Sequence, residues 1–398
     1  WVGLEYLRTY ALTGFPWILL GYTQYRHISL LPIASVAGVY GLSFLVVLIN
    51  IALAQWVGGA PTRFRSIVFA GALALALLAA PRLLSPPATS AGSEQAIRVA
   101  LVQGNIDQGS KWDPAMQADT IERYRRLSLE AAKDAPALIV WPESAVPFFL
   151  RYEPAWQSRV LDIAAETGSY LLVGSPDAEP PADANVGTRY HNSAFLISPQ
   201  RELLSRYDKI HMVPFGEYVP LSSILSFVHK LAYGIGDFEG GRTYTVFDIP
   251  GGRFGALICY EAIFPDQVRR HVKEGAEFLV NITNDAWFGR SAAPAQHLAM
   301  AALRAAENRR YLIRAANTGI SAIVDPSGRI LQASDIFVPT VMTGQIRVER
   351  TQTFYTRHGD LFAWVCVIFI VVVSMATWAW SGVRIASVPA AASHRRMQ

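Results

Sequence analysis

One stretch near the C-terminus, residues 361–380, constrains the fold of this chain more than any other. Its sequence, LFAWVCVIFIVVVSMATWAW, contains no charged residue. A helix needs about 20 apolar residues to cross a bilayer, and tryptophans at its end are typical of the membrane interface. The length and the Trp-rich end disfavour the alternative, a buried core helix. The sequence therefore predicts that the chain crosses a membrane here.

The composition and two further stretches agree with a membrane protein. Of the 398 residues, 52% are hydrophobic and 17% are charged, whereas soluble domains carry about 25% charged residues. Residues 33–57 and 67–84 are each long and apolar enough to span a bilayer. Residues 10–22 are shorter and are interrupted by Gly14 and Pro16, which predicts a kinked span or a re-entrant piece.

Arginines predict the orientation of the chain in the membrane. They lie between the stretches 33–57 and 67–84 and after the last stretch: Arg63, Arg65, Arg384, Arg395 and Arg396. The positive-inside rule places both groups in the cytoplasm, so the region between them is expected on the outer face. Residues 1–85 are thus expected to form transmembrane helices, 95–350 an outward-facing catalytic domain, and 361–380 a C-terminal transmembrane helix. Because the chain opens with Trp1 and not with Met, we expect that sequence upstream of it is missing.

Charge and residue spacing exclude several other functions. The net charge is +4, without a dense basic stripe, and nucleic-acid binding needs clustered positive charge. Cys259 and Cys366 are the two cysteines and cannot form a disulfide scaffold. The eight histidines lack the spacing of a metal site, and His211 and His297 are interpreted as structural. No glycine-rich phosphate loop follows a strand, so we expect neither a metal nor a cofactor.

Between the apolar stretches, short apolar runs alternate with helical patterns. The runs predict strands: IRVALVQ, ALIVWP, SYLLVGS, SAFLIS, RFGALICY, EFLVNIT and SAIVDP. Helices are predicted at residues 119–133, 154–167, 265–274 and 294–311. Strands that are apolar throughout are typical of sheets buried on both faces, which indicates a layered α/β domain.

Cys259 is the first candidate for chemistry because it ends a predicted buried strand, just before a helix that opens at Pro265. Such junctions are where α/β folds place reactive groups, and a helix N-terminus is expected to stabilise a thiolate. The alternative is a small buried hydrophobe. An unused thiol is disfavoured in an oxidising outer compartment, so a nucleophile is the preferred interpretation.

Three acidic residues and a lysine could serve this thiol. Glu143 follows the strand ALIVW and is a candidate general base, although it could instead be an ordinary carboxylate at a helix start. Lys209 lies in YDKIHMVPFGEYVP and could be solvated surface, but Glu217 in the same string could pair with it. Glu261, two residues after the cysteine, could orient the same lysine or gate the site.

The order Glu, Lys, Cys, each after a predicted strand, resembles the nitrilase, or carbon–nitrogen hydrolase, superfamily. The resemblance implies an αββα sandwich in which Glu143 is the general base, Lys209 stabilises the tetrahedral intermediate and Cys259 forms a thioester. The flanking strings are similar to those of the apolipoprotein N-acyltransferase family: VQGNIDQGSKW, WPESAVP, YDKIHMVPFGEYVP, ICYEAIFP, NITNDAWFG and LRTYALTGFPWILLGYTQY. By this resemblance Glu217 and Glu261 are supporting acids, and Trp112 and Tyr260 line the lipid-facing side of the pocket.

That resemblance also implies a reaction and a location. A phospholipid would donate its sn-1 acyl chain, through the Cys thioester, to the α-amino group of the diacylglyceryl-cysteine of a prolipoprotein. The enzyme would be a monomer in the inner membrane of a bacterium, with its catalytic domain facing the periplasm. A membrane-tethered amidase that hydrolyses a small amide would use the same three residues, and a non-catalytic membrane scaffold is the third possibility.

Apolar segments near the candidate site support a lipid substrate independently. Phe148 and Phe149 follow the base within an apolar run, residues 145–150. Residues 221–231 place apolar side chains on one face at helical spacing: Leu221, Ile224, Leu225, Val228 and Leu231. We expect them to form an interfacial arm, hinged by Gly234, Gly236, Gly240 and Gly241. The alternative is that both segments pack into the domain core.

Overall fold

The computed structural model describes residues 1–59, 61–84, 96–180, 187–214, 216–218 and 238–386, with side chains up to residue 378. The described α-helices are α1 (Val2–Tyr10), α2 (Ala34–Val57), α3 (Arg63–Leu84), α4 (Gln117–Ala132), α5 (Pro154–Thr167), α6 (Pro265–Lys273), α7 (Ala293–Asn308), α8 (Phe354–His358) and α9 (Leu361–Ala386). The predicted helices at residues 119–133, 154–167, 265–274 and 294–311 are confirmed as α4 to α7, with ends that differ by up to three residues.

Twelve described strands form two six-stranded sheets. The strands are β1 (Ile97–Gln103), β2 (Leu138–Val140), β3 (Tyr170–Glu179), β4 (Arg189–Ile197), β5 (Leu203–Asp208), β6 (Val246–Ile249), β7 (Gly252–Ile258), β8 (Phe278–Thr283), β9 (Leu312–Ala316), β10 (Ala322–Val324), β11 (Ile330–Ala333) and β12 (Thr340–Ile346). The strand orders are β12-β1-β2-β3-β4-β5 and β11-β10-β9-β8-β7-β6. In each sheet the three central strands pair in parallel: β1, β2 and β3 in one, and β7, β8 and β9 in the other.

The sheets stack face to face between two helical layers, which confirms the αββα sandwich. Side chains from both sheets, such as Leu101 on β1 and Ala256 on β7, share one buried core. The other face of the first sheet packs on α4 and α5, and the other face of the second packs on α6 and α7. Burial on both faces explains why the central strands are nearly all apolar.

Three described helices are long and apolar enough to cross a membrane: Leu31–Val57, Arg63–Leu84 and Leu361–Trp378. They correspond to the three apolar stretches predicted from the sequence. Residues 10–22 do not form a kinked spanning helix. They run from the end of α1 through a 3-10 turn, Ala11–Thr13, to a second one, Leu20–Gln24. The predicted arm at residues 221–231 lies outside the described residues, as do Gly234 and Gly236.

The first membrane helix is joined to the catalytic domain by a buried polar contact. Gly38 has a φ of +62° and interrupts the regular geometry of α2, which leaves neighbouring backbone groups in need of partners. The Val39 N–H donates to the Glu307 carboxylate of α7 at 2.9 Å. Glu307 also pairs with Arg304 at 3.1 Å, and both side chains are fully buried. The domain and the membrane helices are therefore packed as one unit at this point.

Candidate active site

The site lies where three strands end. Glu143 comes three residues after β2, Lys209 directly follows β5, and Cys259 directly follows β7. The carboxyl ends of strands in α/β sheets are where side chains of different elements converge. The structure brings all three predicted residues together, because Lys209 Nζ lies 3.6 Å from Glu143 Oε1 and both residues interact electrostatically with the Cys259 thiol.

Cys259 lies on a sharp turn between strand and helix. Its φ is +51°, a region that residues with a side chain rarely adopt. It starts a 3-10 turn, Cys259–Ile263, and α6 follows at Pro265. Strain of this kind persists where the surroundings over-determine the backbone, and it is concentrated at functional sites. The turn holds the thiol at the end of the sheet.

Lys209 is buried among carboxylates. It is 1% exposed, and its ammonium lies 2.8–2.9 Å from both oxygens of Glu217. Burial alone would lower the pKa of Lys209, but Glu217 and Glu143 outweigh it and raise the pKa above its usual value. The interpretation of Lys209 as solvated surface is wrong, and its pairing with Glu217 is confirmed. A fixed positive charge therefore stands beside the thiol.

Glu143 is held by donors on both oxygens. The Asn192 amide donates to one oxygen at 2.7 Å and the Asn284 N–H donates to the other at 2.8 Å. Gly174 on β3 lets this turn approach the sheet, since a Cβ there would lie 2.5 Å from the Pro142 carbonyl oxygen. These contacts fix the direction of the carboxylate.

Asn192 and Lys111 take part in this arrangement and were missed from the sequence. Asn192, on β4, also donates to Glu217 at 2.9 Å and so links the two carboxylates. Lys111 is 1% exposed and donates to the Glu143 carbonyl oxygen at 3.2 Å. Burial lowers the pKa of Lys111 to about 8. A polar residue inside an otherwise buried strand, as in YHNSAFLIS, is the signal that could have indicated Asn192.

Glu261 ties together the two backbone segments that carry Cys259 and Lys209. It is fully buried and accepts hydrogen bonds from the N–H groups of Ile258 and Ile210 at 2.7 Å each. No described hydrogen bond joins it to the Lys209 ammonium, but the two charges interact, so its role in orienting that lysine or gating the site stays a prediction. The carboxylate joins the backbone before Cys259 to the backbone after Lys209.

The surroundings of the thiol oppose its ionisation. Burial, followed by the nearby Glu143, raises the pKa of Cys259 well above its usual value, although Lys209 and a hydrogen bond with Thr283 oppose the shift. A 3-10 turn separates Cys259 from α6, so the thiol does not lie at the N-terminus of that helix as the sequence suggested. A buried neutral thiol needs a base when it attacks.

Tyr260 joins the nucleophile turn to the N-terminal segment. Its hydroxyl donates to the Gly14 carbonyl oxygen at 3.2 Å, and its ring stacks near Phe15. Leu12 is 98% exposed and Phe15 is 54% exposed. An exposed apolar segment thus adjoins the turn that carries Cys259. His211 packs on Phe264 beside it.

The apolar residues after the base behave differently from the prediction. Phe148 is 3% exposed and stacks on Trp156 within the core between the first sheet and its helices. Residues 145–150 are therefore not an exposed apolar loop, and Phe148 does not face a lipid. Phe149 is half-buried near Tyr190. Trp112 is half-buried next to Lys111.

Comparison with known proteins agrees with both parts of the chain. Residues 98–355 match the carbon-nitrogen hydrolase family, and residues 1–52 match the apolipoprotein N-acyltransferase N-terminal domain. Among solved structures, Nit3 of Saccharomyces cerevisiae, a member of the nitrilase superfamily, is similar in fold. Its TM-score is 0.51 at 20% identity, over 65% of this chain and 93% of Nit3.

Relatives of known family align over nearly the whole chain. The apolipoprotein N-acyltransferase of Geobacter metallireducens is 48% identical over 375 residues, which is 92% of this chain and 71% of the relative. The one of Bradyrhizobium diazoefficiens is 35% identical over 387 residues, 93% of this chain and 71% of the relative. The chain therefore belongs to the apolipoprotein N-acyltransferase family, with a catalytic domain of the carbon-nitrogen hydrolase type.

Proposed function

We propose that this protein transfers the sn-1 acyl chain of a phospholipid to the α-amino group of the diacylglyceryl-cysteine that begins a prolipoprotein. The observation that carries the proposal is the contact of Glu143 and Lys209 next to the Cys259 thiol. A base, a fixed cation and a nucleophile at one point are what acyl transfer requires. Family membership supports the choice of acceptor.

In the first half of the reaction, Cys259 Sγ attacks the carbonyl carbon of the sn-1 ester while its proton passes to Glu143. Negative charge develops on the carbonyl oxygen, and the Lys209 ammonium stabilises it. When the tetrahedral intermediate collapses, the ester C–O bond breaks and Glu143 returns the proton to the departing oxygen. A lysophospholipid leaves, and the acyl group remains as a thioester on Cys259.

In the second half, the neutral α-amine of the prolipoprotein attacks the thioester carbonyl carbon. Glu143 accepts a proton from the attacking nitrogen, and Lys209 again stands by the oxyanion. The C–S bond then breaks, the sulfur recovers its proton from Glu143, and an amide is released. Because the donor product leaves before the acceptor reacts, we expect ping-pong kinetics.

The proposed location is a bacterial inner membrane, with the catalytic domain on the periplasmic side and the protein acting as a monomer. Contacts with the domain occur near the start of α2, through Val39, and shortly before α9, where Arg269 of α6 donates to the Thr356 carbonyl oxygen at 3.2 Å. The opposite end of α2 leads to Arg63, which opens α3. The positive-inside rule supports a cytoplasmic position for that far end.

The test is intact-mass spectrometry of the purified protein after incubation with phosphatidylethanolamine, with Cys259→Ala in parallel. We expect a gain of one fatty-acyl mass in the wild type that hydroxylamine removes, and no gain in the variant. Adding a diacylated lipopeptide should discharge the adduct and yield a triacylated peptide. Circular dichroism of both proteins controls for folding.

Two results would contradict the proposal. A folded wild type without the adduct would exclude phospholipid as the acyl donor for this chain. An adduct that water discharges as fast as the lipopeptide would indicate a hydrolase instead of a transferase. Hydrolysis of a small amide by the same protein would then favour the membrane-tethered amidase.

A further inference from the structure

A buried polar cluster lies beneath the nucleophile turn, and the proposed steps do not use it. It consists of His297 on α7, Asp285 after β8 and Arg314 on β9. The side chain of His297 is 1% exposed, and those of Asp285 and Arg314 are fully buried. Charged groups this deep are expensive unless they are paired and hydrogen-bonded, so the arrangement calls for an explanation.

The histidine contacts the backbone of the nucleophile itself. His297 Nε2 lies 3.1 Å from the Cys259 carbonyl oxygen. A carbonyl oxygen can only accept, so Nε2 carries the proton and donates it. On the other side of the ring, Nδ1 lies 3.0 Å from an Arg314 nitrogen, which can only donate, and 3.1 Å from an Asp285 carboxylate oxygen, which can only accept. Burial and the Arg314 charge lower the pKa of His297, and the Nε2–H bond to Cys259 does not depend on whether Nδ1 carries a proton.

The partners of the histidine are themselves fixed. Asp285 pairs with Arg314 at 2.8 Å and accepts a hydrogen bond from Thr283 at 3.0 Å. Arg314 also donates to Asn281 and to the Ile320 carbonyl oxygen. The ring of Trp17 covers His297, with centroids 5.5 Å apart. The imidazole is therefore held in place by the charged pair Asp285–Arg314 and by Trp17 of the N-terminal segment.

The carbonyl that this imidazole holds belongs to a backbone in an unfavourable conformation. Cys259 has a φ of +51°, and such a residue stays in that region only when its neighbours impose it. Rotation of the Cys259 backbone toward an ordinary φ would turn the carbonyl away from Nε2 and move Cβ with the thiol. The hydrogen bond therefore acts directly on the direction in which the thiol points.

We propose that His297 is a positioning residue, whose Nε2–H holds the Cys259 carbonyl and thereby keeps the thiol aimed at the base and the acyl carbon. The inference rests on the proposed function because it takes Cys259 as the nucleophile. His297 itself touches neither substrate nor reacting atoms. Its interpretation as merely structural is thereby replaced by a specific role.

Two substitutions separate this role from simple packing. In His297→Gln the amide nitrogen reaches the position of Nε2 and can still donate to Cys259. In His297→Asn the shorter amide reaches only the position of Nδ1, so contacts to Arg314 and Asp285 are kept but the Cys259 contact is lost. His271→Ala is the matched control, since His271 is also fully buried and makes no hydrogen bond through its ring among the described residues.

The readouts are the alkylation rate of Cys259 by iodoacetamide and the rate of acyl-thioester formation from phosphatidylethanolamine. A Cys259→Ala protein supplies the background from Cys366. We expect His297→Asn to lower both rates on the order of 10²-fold, as misplacement by about 1 Å can do, with KM for the phospholipid unchanged. His297→Gln should restore rates close to the wild type. His271→Ala should lower thermal stability but not the rates per folded molecule.

Equal rates in His297→Asn and His297→Gln would overturn the inference. So would a loss of rate in both variants that follows the decrease in their melting temperatures. Failure of the proposed function looks different. In that case wild-type protein forms no acyl-thioester, while the order of alkylation rates among the His297 variants still tests the role of the histidine.

Discussion

Replacing Lys209 by methionine tests the electrostatic account of the site most directly. Methionine keeps the length and the apolar stem of lysine but removes the ammonium. That ammonium lies 2.8 Å from Glu217 and 3.6 Å from Glu143, and the side chain is 1% exposed. At an effective dielectric constant of about 20, each of these charge pairs attracts by roughly 5 kcal/mol, which offsets the several kcal/mol that burial costs each ion.

Lys209→Met therefore leaves the buried Glu143 and the partly buried Glu217 without their cation. Breaking a buried ion pair in this way costs about 3–5 kcal/mol in the free energy of unfolding. Loss of the group that stabilises the oxyanion should lower the rate of acyl-thioester formation by about 10²–10³-fold. The first effect is measured by chemical unfolding in detergent and the second by the time course of the acyl mass shift.

A second variant separates the two effects. Lys209→Met combined with Glu217→Gln removes the closest carboxylate charge together with the ammonium, so most of the lost stability should return. Activity should remain as low as in the single variant, because the oxyanion still lacks its cation. If the double variant is no more stable than the single one, or if either variant keeps the wild-type rate, the reasoning about this charge network is refuted.

Three further predictions concern residues around this network. Asn192→Leu removes one donor from the buried Glu143 and one from the partly buried Glu217. It should lower the free energy of unfolding, measured by chemical unfolding, by about 3–6 kcal/mol, at about 1.5–3 kcal/mol for each bond to a charge. Gly174→Ala should destabilise the fold by about 1–3 kcal/mol and slow acylation, because the new Cβ meets the Pro142 carbonyl oxygen; Gly71→Ala, with open space around it, is the control. Burial outweighs the Arg304 charge and raises the pKa of Glu307 from 4.5 to about 7. The free energy of unfolding should therefore decrease as the pH rises from about 4.5 to about 7. Glu307→Gln should weaken this pH dependence, as measured by thermal melts at several pH values.

Most central strands were predictable because burial on both faces leaves a nearly continuous apolar run, but β9, Leu312–Ala316, was missed because Arg314 interrupts its run. The predicted run IRVALVQ coincides with β1, Ile97–Gln103. Strands at the sheet edges were not predicted, for example β11, Ile330–Ala333, and β12, Thr340–Ile346, whose residues are mostly half-buried or exposed. Their pairing depends on partners far away in the chain, which a local pattern does not encode.

The site residues also differ in whether a local sequence pattern predicts them. Glu143 and Cys259 could be found because each comes at or within three residues of the end of an apolar strand, and a local pattern is enough for that. The bond from Asn192 to Glu143 joins residues 49 positions apart, and it exists only because β4 lies in the same sheet as β2. The burial of Phe148 also depends on tertiary packing, since an apolar run looks the same whether it meets Trp156 or a lipid.

The environments of the three central residues support the proposed roles independently of any relative. The carboxylates around Lys209 raise its pKa and keep it protonated, so it cannot take a proton from the thiol. Burial raises the pKa of Cys259, so the thiol cannot supply a thiolate unaided near neutral pH. Glu143, with donors on both oxygens, is then the group left to accept the proton as sulfur attacks. Titratable groups whose environments push their pKa values apart divide acid, base and electrostatic work in this manner, and the charge of Lys209 is free to act on the oxyanion alone.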